Sequence, residues 1–306
     1  MMSIRDAFGL ALAEVGREFP DVVAVSCDLR EATRLSYFTK AFPERTFEVG
    51  IAEANAVGIA TGLALEGFRP FLASFGAFIT GKNVEIRTSI AYNQAPVVIV
   101  GTHGGMIGPD GGTQSALQDI AVMRSIPGFH VYQPATPNET RAIVRYAAMS
   151  TEPTYIRISR NEVREYFDRD CEFYPGTSRT VINPSEALKA IITSGPLLGN
   201  CCDAATTVGN TKVINMPSIE PIDADAIIET ARSVPSILVV EDHSTKGGLG
   251  GAVAEVIAQH VPHYNMTRAG IDNFIMSGRP SELETIYGLN VEGIEEKLRC
   301  LYPCTR

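Results

Sequence analysis

The chain alternates between short apolar runs and longer segments in which apolar residues recur at helical spacing. The apolar runs are rich in β-branched residues, which is typical of strands buried on both faces, and the longer segments predict helices. The predicted strands cover 21–27, 47–50, 69–74, 96–100, 129–133, 154–158, 189–194, 212–216, 237–241 and 263–266. The predicted helices cover 3–17, 52–66, 79–92, 115–125, 136–149, 196–206, 223–233 and 248–260.

Regular alternation of strands and helices predicts an α/β fold, in which helices cover both faces of a mostly parallel sheet. The pattern is lost after residue 161, where charged and aromatic residues surround Pro175 and Gly176, and it resumes near residue 187. We therefore predict two doubly wound domains, at 1–165 and 187–306, joined by a linker at 166–186. A length of 306 residues is sufficient for two such domains.

The composition excludes several classes of protein. The chain is 45% hydrophobic and 20% charged with a net charge of −9, so we expect neither nucleic acid nor an anionic membrane as a partner. It has no run of 18 apolar residues and no secretory type of N-terminal segment, and we expect a cytoplasmic protein. No Cys-x-x-Cys pair occurs, which predicts free thiols for Cys27, Cys171, Cys201, Cys202, Cys300 and Cys304.

The segment 47–66 carries the strongest chemical signal. A four-residue strand leads into a helix rich in Ala and Gly, and Gly58 and Gly62 lie one helical turn apart. These glycines cost helix stability unless another body packs closely against them. Glu53 stands at the strand-to-helix turn with no basic residue within five positions. Its carboxylate is either desolvated or bound to a ligand, or it is a helix residue favoured by the helix dipole.

The string Val-Gly-Ile-Ala-Glu-Ala-Asn at 49–55 resembles the cofactor-activating segment of transketolases and their thiamine-diphosphate relatives. Three further stretches agree in order and distance: Gly-Thr-His-Gly-Gly-Met-Ile-Gly-Pro-Asp-Gly-Gly-Thr-Gln at 101–114, Met-Arg-Ser-Ile-Pro-Gly at 123–128, and Val-Glu-Asp-His-Ser-Thr-Lys-Gly-Gly-Leu-Gly-Gly-Ala-Val-Ala-Glu at 240–255. The resemblance implies a pyrimidine-binding domain followed by a transketolase C-terminal domain.

The resemblance also implies which residues bind thiamine diphosphate. Glu53 matches the catalytic acid that promotes the imino tautomer of the aminopyrimidine ring. A further aromatic residue of the family corresponds to Gly81 here, which removes one wall of the pocket. The other cofactor-binding residues that the resemblance implies are Phe75, Phe78, Asp28 and Ile51.

Substrate contacts follow from the same resemblance. His103 is implied to act in catalysis and to touch the anionic end of a sugar, and Asp110 to bind a substrate hydroxyl. Gln114 replaces a second His of many transketolases and can hydrogen-bond a hydroxyl without carrying charge. Arg5 and Arg160 match two arginines that bind the phosphate tail, for which guanidinium groups are suited.

Two other positions bear on the phosphate tail. Ala32 stands where the family has a phosphate-contacting Ser. Arg157 alternates to the other face of its strand from the substrate arginines, so we predict that it forms a salt bridge instead.

The diphosphate-binding motif of thiamine enzymes, Gly-Asp-Gly with a downstream Asn, does not occur in the sequence. The resemblance therefore implies the C-terminal subunit of a split transketolase, with no metal site of its own. An N-terminal subunit would bind the diphosphate and Mg²⁺ in an α2β2 heterotetramer. The implied reaction transfers a two-carbon ketol unit from a ketose phosphate, or a similar anionic ketose, to an aldose.

Three alternatives remain open. The beta subunit of a 2-oxo-acid dehydrogenase shares the Glu53 segment and the domain order, and an enzyme like 1-deoxyxylulose-5-phosphate synthase is related. His103 with the Asp110-Gly111 loop favours the transketolase branch over the dehydrogenase. A non-catalytic paralogue that only pairs with a partner is disfavoured by the presence of Glu53, His103, Asp110 and both substrate arginines.

Overall fold

A computed structural model describes residues 1–262 and 264–301. The strands are β1 (Met2–Ser3), β2 (Val22–Ser26), β3 (Thr46–Glu48), β4 (Arg69–Phe75), β5 (Val98–Thr102), β6 (His130–Tyr132), β7 (Thr154–Ile158), β8 (Glu162–Val163), β9 (Arg179–Ile182), β10 (Lys189–Thr193), β11 (Thr211–Asn215), β12 (Ser218–Glu220), β13 (Ser236–Val240) and β14 (Asn265–Ala269).

The helices are α1 (Ile4–Glu18), α2 (Arg30–Thr33), α3 (Ser36–Ala41), α4 (Glu53–Leu65), α5 (Gly76–Ile79), α6 (Asn83–Glu85), α7 (Asp119–Arg124), α8 (Pro137–Met149), α9 (Leu198–Val208), α10 (Ala224–Ser233), α11 (Leu249–His260), α12 (Pro280–Ile286) and α13 (Val291–Cys300). Short 3₁₀ turns cover Pro43–Arg45, Thr80–Lys82 and Gly195–Leu197, and a π-helical turn covers Ile86–Ala91.

Two mostly parallel sheets carry the fold, which confirms the predicted α/β class. The first has the strand order β12-β6-β7-β5-β4-β2-β3 and is parallel except for β12. The second has the order β14-β13-β10-β11-β9 and is parallel except for β9. Their antiparallel strands are both at an edge, as is common for sheets of this kind.

Alternate residues of each central strand supply opposite faces of the first sheet. Leu72 of β4 packs with Val57 and Ala60 of α4, whereas its neighbour Phe71 packs with Phe8 and the rest of the α1 side. Every residue of β2, β5 and β7 is buried, because helices cover both faces. This explains why these strands are continuous apolar runs in the sequence.

The structure differs from the predicted elements in two places on the first sheet. The helix predicted at 115–125 begins only at Asp119, because Ala116 exchanges backbone hydrogen bonds with His103 and Gly105. The helix predicted at 79–92 is divided into the α5, 3₁₀, α6 and π-helical pieces around the exposed Gly81. Glycine is a weak helix former, and its position coincides with the irregular turn.

The second half of the chain differs more. Residues 179–182 form β9 inside the segment predicted as a linker, and β12 returns to pair with the first sheet. Helices α12 and α13 were not predicted, although Asn290 caps α13 and Ile294 and Leu298 form its buried side. The strand predicted at 263–266 lies at Asn265–Ala269, and His263 and Cys304 are outside the described residues.

A buried charged cluster joins the two sheets. Arg157 on β7 donates from Nη1 to Asp242, which follows β13, at 2.6 Å, and from Nε to Asp119 of α7 at 3.0 Å. Gln133 donates to the same Asp242 carboxylate at 2.9 Å. The Arg157 side chain is 0% exposed and forms the predicted salt bridge with Asp119 in the same half of the chain and with Asp242 in the other.

Candidate active site

The predicted site residues meet at one edge of the first sheet. Asp28 follows β2, Phe75 ends β4, His103 follows β5 and Arg160 lies two residues after β7. These four strands are parallel neighbours, so their carboxyl ends point to the same side. Ligands of open α/β sheets bind at this edge.

Glu53 is the first residue of α4 and is 9% exposed. The Ser74 hydroxyl donates to its Oε1 at 3.3 Å. Among the described residues, Glu53 forms no ion pair, so no cationic side chain contacts its second carboxyl oxygen. A dipole-favoured surface residue would be solvated, whereas this carboxyl group is withdrawn from water beside the sheet edge.

Hydroxyl groups connect Glu53 with His103. Thr102 Oγ1 lies 3.3 Å from the backbone oxygen of Ser74 and 2.9 Å from His103 Nδ1. Both contacts are satisfied when the Thr102 hydroxyl donates to Ser74 and the His103 Nδ1–H donates to Thr102, an assignment made from the hydrogen-bond pattern. His103 Nε2 is then an acceptor. Sequence reasoning missed Ser74 and Thr102, because single hydroxyls in a strand carry no distinctive signal.

The electrostatic environment keeps His103 uncharged. Burial, followed by the positive charges of Arg160 and Arg5, lowers the pKa of His103 to about 3. The imidazole is therefore neutral at physiological pH and can accept a hydrogen bond from a hydroxyl group, but it cannot serve as a cation.

Three rings are stacked beside this histidine. The Phe75 ring lies 3.6 Å from the His103 ring and 5.1 Å from the Phe78 ring, measured between centroids. Both Phe residues are only half-buried. A side-chain carbon at Gly81 would have no neighbour within 4 Å, so the space that an aromatic residue would occupy is open. The rings and the buried Glu53 carboxyl lie at the edge of the sheet where the sequence analysis places the aminopyrimidine ring.

Positive charge gathers where β7 meets the N-terminus. Arg5 Nη1 donates to the backbone oxygen of Ala32 at 2.9 Å, and Arg160 is paired with Asp110. The Ile4 amide donates to the Asn161 oxygen at 3.3 Å, which holds Arg5 and Arg160 side by side. Arg5 Nε is buried without a hydrogen-bond partner.

Asp28 and Ile51 lie at the open edge of the site. Asp28 is exposed in a left-handed conformation with φ of 60°, and its amide donates to Glu48 Oε1 at 2.7 Å. Ile51 is 83% exposed. Glu48, which sequence reasoning treated only as a strand residue, also accepts from the Gly50 amide at 3.1 Å and shapes the turn before Glu53.

The glycines of the loop 101–114 serve the protein itself. A side-chain carbon at Gly104 would lie 2.7 Å from Arg157 Nε, and one at Gly105 would collide with Asp242. The loop therefore packs on the buried charged cluster, and this packing fixes the position of His103. Gln114, near the end of the loop, is half-buried. Its backbone amide donates to the backbone oxygen of Gly111 at 3.1 Å.

Metal-ligating clusters and membrane spans are both absent from the part of the chain that the structure describes. Across residues 1–262 and 264–301, no group of three or more His, Cys, Asp or Glu side chains is arranged to hold a metal ion. Within the same residues, no helix has both the length and the apolar character needed to span a bilayer.

Comparison with known families identifies the class of protein. Residues 1–165 match the transketolase pyrimidine-binding domain, and residues 182–294 match the transketolase C-terminal domain. The chain therefore belongs to the transketolase family, whose members are thiamine-diphosphate-dependent transferases.

Particular relatives of the same length refine this assignment. The putative transketolase C-terminal section of Methanocaldococcus jannaschii is 35% identical, covering 96% of this chain and 95% of that protein. An apulose-4-phosphate transketolase subunit from Phocaeicola vulgatus is 34% identical, covering 96% of both chains. A solved structure described as "Split gene transketolase, inactive beta4 tetramer" is 35% identical, with a TM-score of 0.92 and full coverage of both chains.

Proposed function

We propose that this chain is the C-terminal subunit of a split transketolase. Its reaction would transfer a two-carbon ketol unit from a ketose phosphate, or a similar anionic ketose, to an aldose. The observation that carries this proposal is that a buried Glu53 and a cluster of arginines lie at the same edge of one sheet. Relatives of subunit length support it, since human transketolase matches the chain over only 49% of its own length.

An open face beside Glu53 supports a partner subunit. Helix α4 carries Ala, Val, Ile or Leu on every side, but nothing in the described residues lies within 4 Å of a side-chain carbon placed at Gly58 or Gly62. Ile51 and Leu65 at either end of this face are 83% and 62% exposed. A helix that is apolar all round is normally covered.

We propose that the partner protein covers this apolar face of α4. It would be an N-terminal transketolase subunit in a cytoplasmic α2β2 heterotetramer, and it would supply the diphosphate and Mg²⁺ site. The solved relative described as an inactive beta4 tetramer agrees with a requirement for a second kind of subunit.

Thiamine diphosphate, when bound, supplies a site at which a carbanion is stabilised. Glu53 would hold the proton at the aminopyrimidine ring nitrogen, and Phe75 and Phe78 would contact that ring. His103, as a neutral imidazole, would act in catalysis and contact the substrate, and Asp110 and Gln114 would bind substrate hydroxyls. Arg5 and Arg160 would bind the anionic tail, with charge-assisted hydrogen bonds.

One other activity has a specific observation in its favour. The 1-deoxy-D-xylulose-5-phosphate synthase of Caldanaerobacter subterraneus is 30% identical and covers 97% of this chain, but the chain covers only 48% of that protein. The subunit-length relatives favour the transketolase. Release of carbon dioxide from pyruvate by the assembled enzyme, without transfer between sugars, would support the synthase instead.

The proposal is tested by changing Glu53 to Gln, which keeps the size of the side chain but removes its acid. The variant should assemble with its partner, and turnover should fall by ~10²–10⁴-fold, as is typical when a general acid–base group is removed. Hydrogen–deuterium exchange at the thiazolium carbon of bound cofactor should slow by a comparable factor.

Glu152→Gln, in the exposed turn that precedes β7 at the opposite end of the first sheet, is the matched control and should leave both rates unchanged. An exchange rate that is equal in the Glu53→Gln variant and the wild type would remove Glu53 from the mechanism.

A further inference from the structure

A third arginine lies beside the two that sequence analysis assigned to the anionic tail. Arg5 Nη1 donates to the backbone oxygen of Ala32 at 2.9 Å, and Arg34 Nη1 donates to the backbone oxygen of Glu31 at 3.2 Å. The two guanidinium groups thus bind consecutive carbonyl groups of one short helix. Arg34 Nε also donates to Asp6, the residue after Arg5, at 2.6 Å.

The position of Arg34 is built into the fold. Its backbone is in the left-handed region, with φ of 68°, at the end of α2. A side-chain carbon at Gly9 of α1 would lie 2.5 Å from the Arg34 carbonyl oxygen. Glycine at this position therefore lets the turn pack directly on α1 and carries Arg34 up to Arg5.

Positive charge exceeds negative charge in this cluster. Asp6 pairs with Arg34 and Asp110 pairs with Arg160, whereas Arg5 has no carboxylate partner among the described residues. Arg5 Nε is buried without a hydrogen bond. Burial, together with the nearby charges of Arg34 and Arg160, lowers the pKa of Arg5. The excess positive charge and the unpartnered Arg5 Nε favour the binding of an anion here.

We propose that Arg34 is a third anion-binding residue and that it makes the site prefer a doubly charged tail to a singly charged one. This inference rests on the proposed function, because it concerns the same substrate site. Arg34 shares its charge with Asp6, but its guanidinium binds the carbonyl next to the one that Arg5 binds, so both groups can face one anion. Since Coulomb attraction is proportional to ligand charge, Arg34 favours a phosphate monoester over a sulfonate or a carboxylate.

The test titrates the 306-residue chain with two small probes and follows binding by NMR. Methyl phosphate is a dianion at about pH 8, and methanesulfonate is a monoanion of similar shape. Arg34→Met should raise the Kd for methyl phosphate by roughly ten- to a hundredfold, and that for methanesulfonate by a clearly smaller factor. Arg34→Lys retains the charge and should recover much of the dianion preference.

Arg30→Met is the matched control. Arg30 begins the same short helix but pairs with Glu48, and its loss should leave both constants within about twofold of the wild type. If Arg34→Met binds both probes like Arg30→Met while Arg5→Ala loses methyl phosphate binding, the proposed role of Arg34 is wrong but the anion site stands. Equal methyl phosphate binding by the wild type and Arg5→Ala would overturn the anion site and this inference together.

A second variant separates direct contact from an indirect effect. Removing Arg34 frees Asp6, which could then pair with Arg5 and block the site. In the double variant Asp6→Asn with Arg34→Met this carboxylate is absent, and we expect methyl phosphate binding to stay weak. Recovery of the wild-type Kd would show that Arg34 only occupies Asp6, and the proposal would be wrong.

Discussion

Changing Arg157 to Met should be strongly destabilising, because Arg157 is the one cation that the described structure places between Asp119 and Asp242. Its guanidinium donates to both carboxylates and also to the backbone oxygens of Ala116 and Asp242, at 2.8 and 3.1 Å. All three charged side chains are at most 2% exposed. Methionine fills much of the volume but pairs with neither carboxylate.

The size of the effect follows from the charges that remain. Removing one partner of a buried ion pair typically costs ~3–5 kcal/mol, since the other charge is left without compensation. Here two carboxylates lose their partner, which favours the upper part of that range. The Tyr155 hydroxyl and the Gln133 amide still donate to Asp119 and Asp242, at 2.7 and 2.9 Å, which limits the loss.

Urea unfolding followed by circular dichroism measures this cost. Arg145→Met is the control, because Arg145 forms a solvent-exposed pair with Glu18 and its loss should scarcely move the midpoint. The variant that combines Arg157→Met with Asn at 119 and 242 removes the uncompensated charges and should regain part of the stability. Arg157→Met unfolding at the same urea concentration as Arg145→Met would refute the reasoning.

Three further predictions concern the site and the C-terminal half. Arg160→Ala should lower kcat/KM for anionic donors by roughly ten- to a hundredfold and affect uncharged donors much less, and equal losses would indicate a structural role. The His103 imidazole should show no NMR titration between about pH 5 and 8, because burial and nearby arginines lower its pKa to about 3; a midpoint inside that window would contradict this. Burial raises the pKa of Glu241 to about 8, so the native state binds the extra proton and the unfolding free energy should fall as pH rises from about 4.5 to 8. The urea midpoint should change less across that pH range in the Glu241→Gln variant. An equal pH dependence in the variant and the wild type would exclude Glu241 as its source.

Sequence alone located six of the seven strands of the first sheet and placed the candidate site residues at strand ends. Strands buried on both faces are continuous apolar runs, so their positions along the chain were readable without the structure. Glu53 was noticeable as a carboxylate without a nearby cation at a strand-to-helix turn, but only the resemblance to transketolases gave it a role. The partnership of Arg157 with carboxylates was also predictable, since strand alternation turns it away from the substrate arginines.

Other features depended on contacts between distant parts of the chain. β12 leaves the second half to extend the first sheet, and short edge strands have too few residues for periodicity to reveal. The loop glycines looked suited to a ligand, but Gly104 and Gly105 make room for Arg157 and Asp242. A glycine in the sequence can indicate a close approach to the backbone, but it does not show which group approaches.

Only the tertiary structure showed that Arg34 lies beside the arginine cluster that the sequence analysis had assigned to Arg5 and Arg160. Arg34 looks like an ordinary surface arginine in the sequence, 29 positions from Arg5 along the chain. Packing of α1 on the turn at Gly9 brings the two guanidinium groups together, and the antiparallel pairing of β1 with β8 adds Arg160. Local periodicity encodes secondary structure and burial, whereas the charge of a site is a sum over residues that only folding makes neighbours.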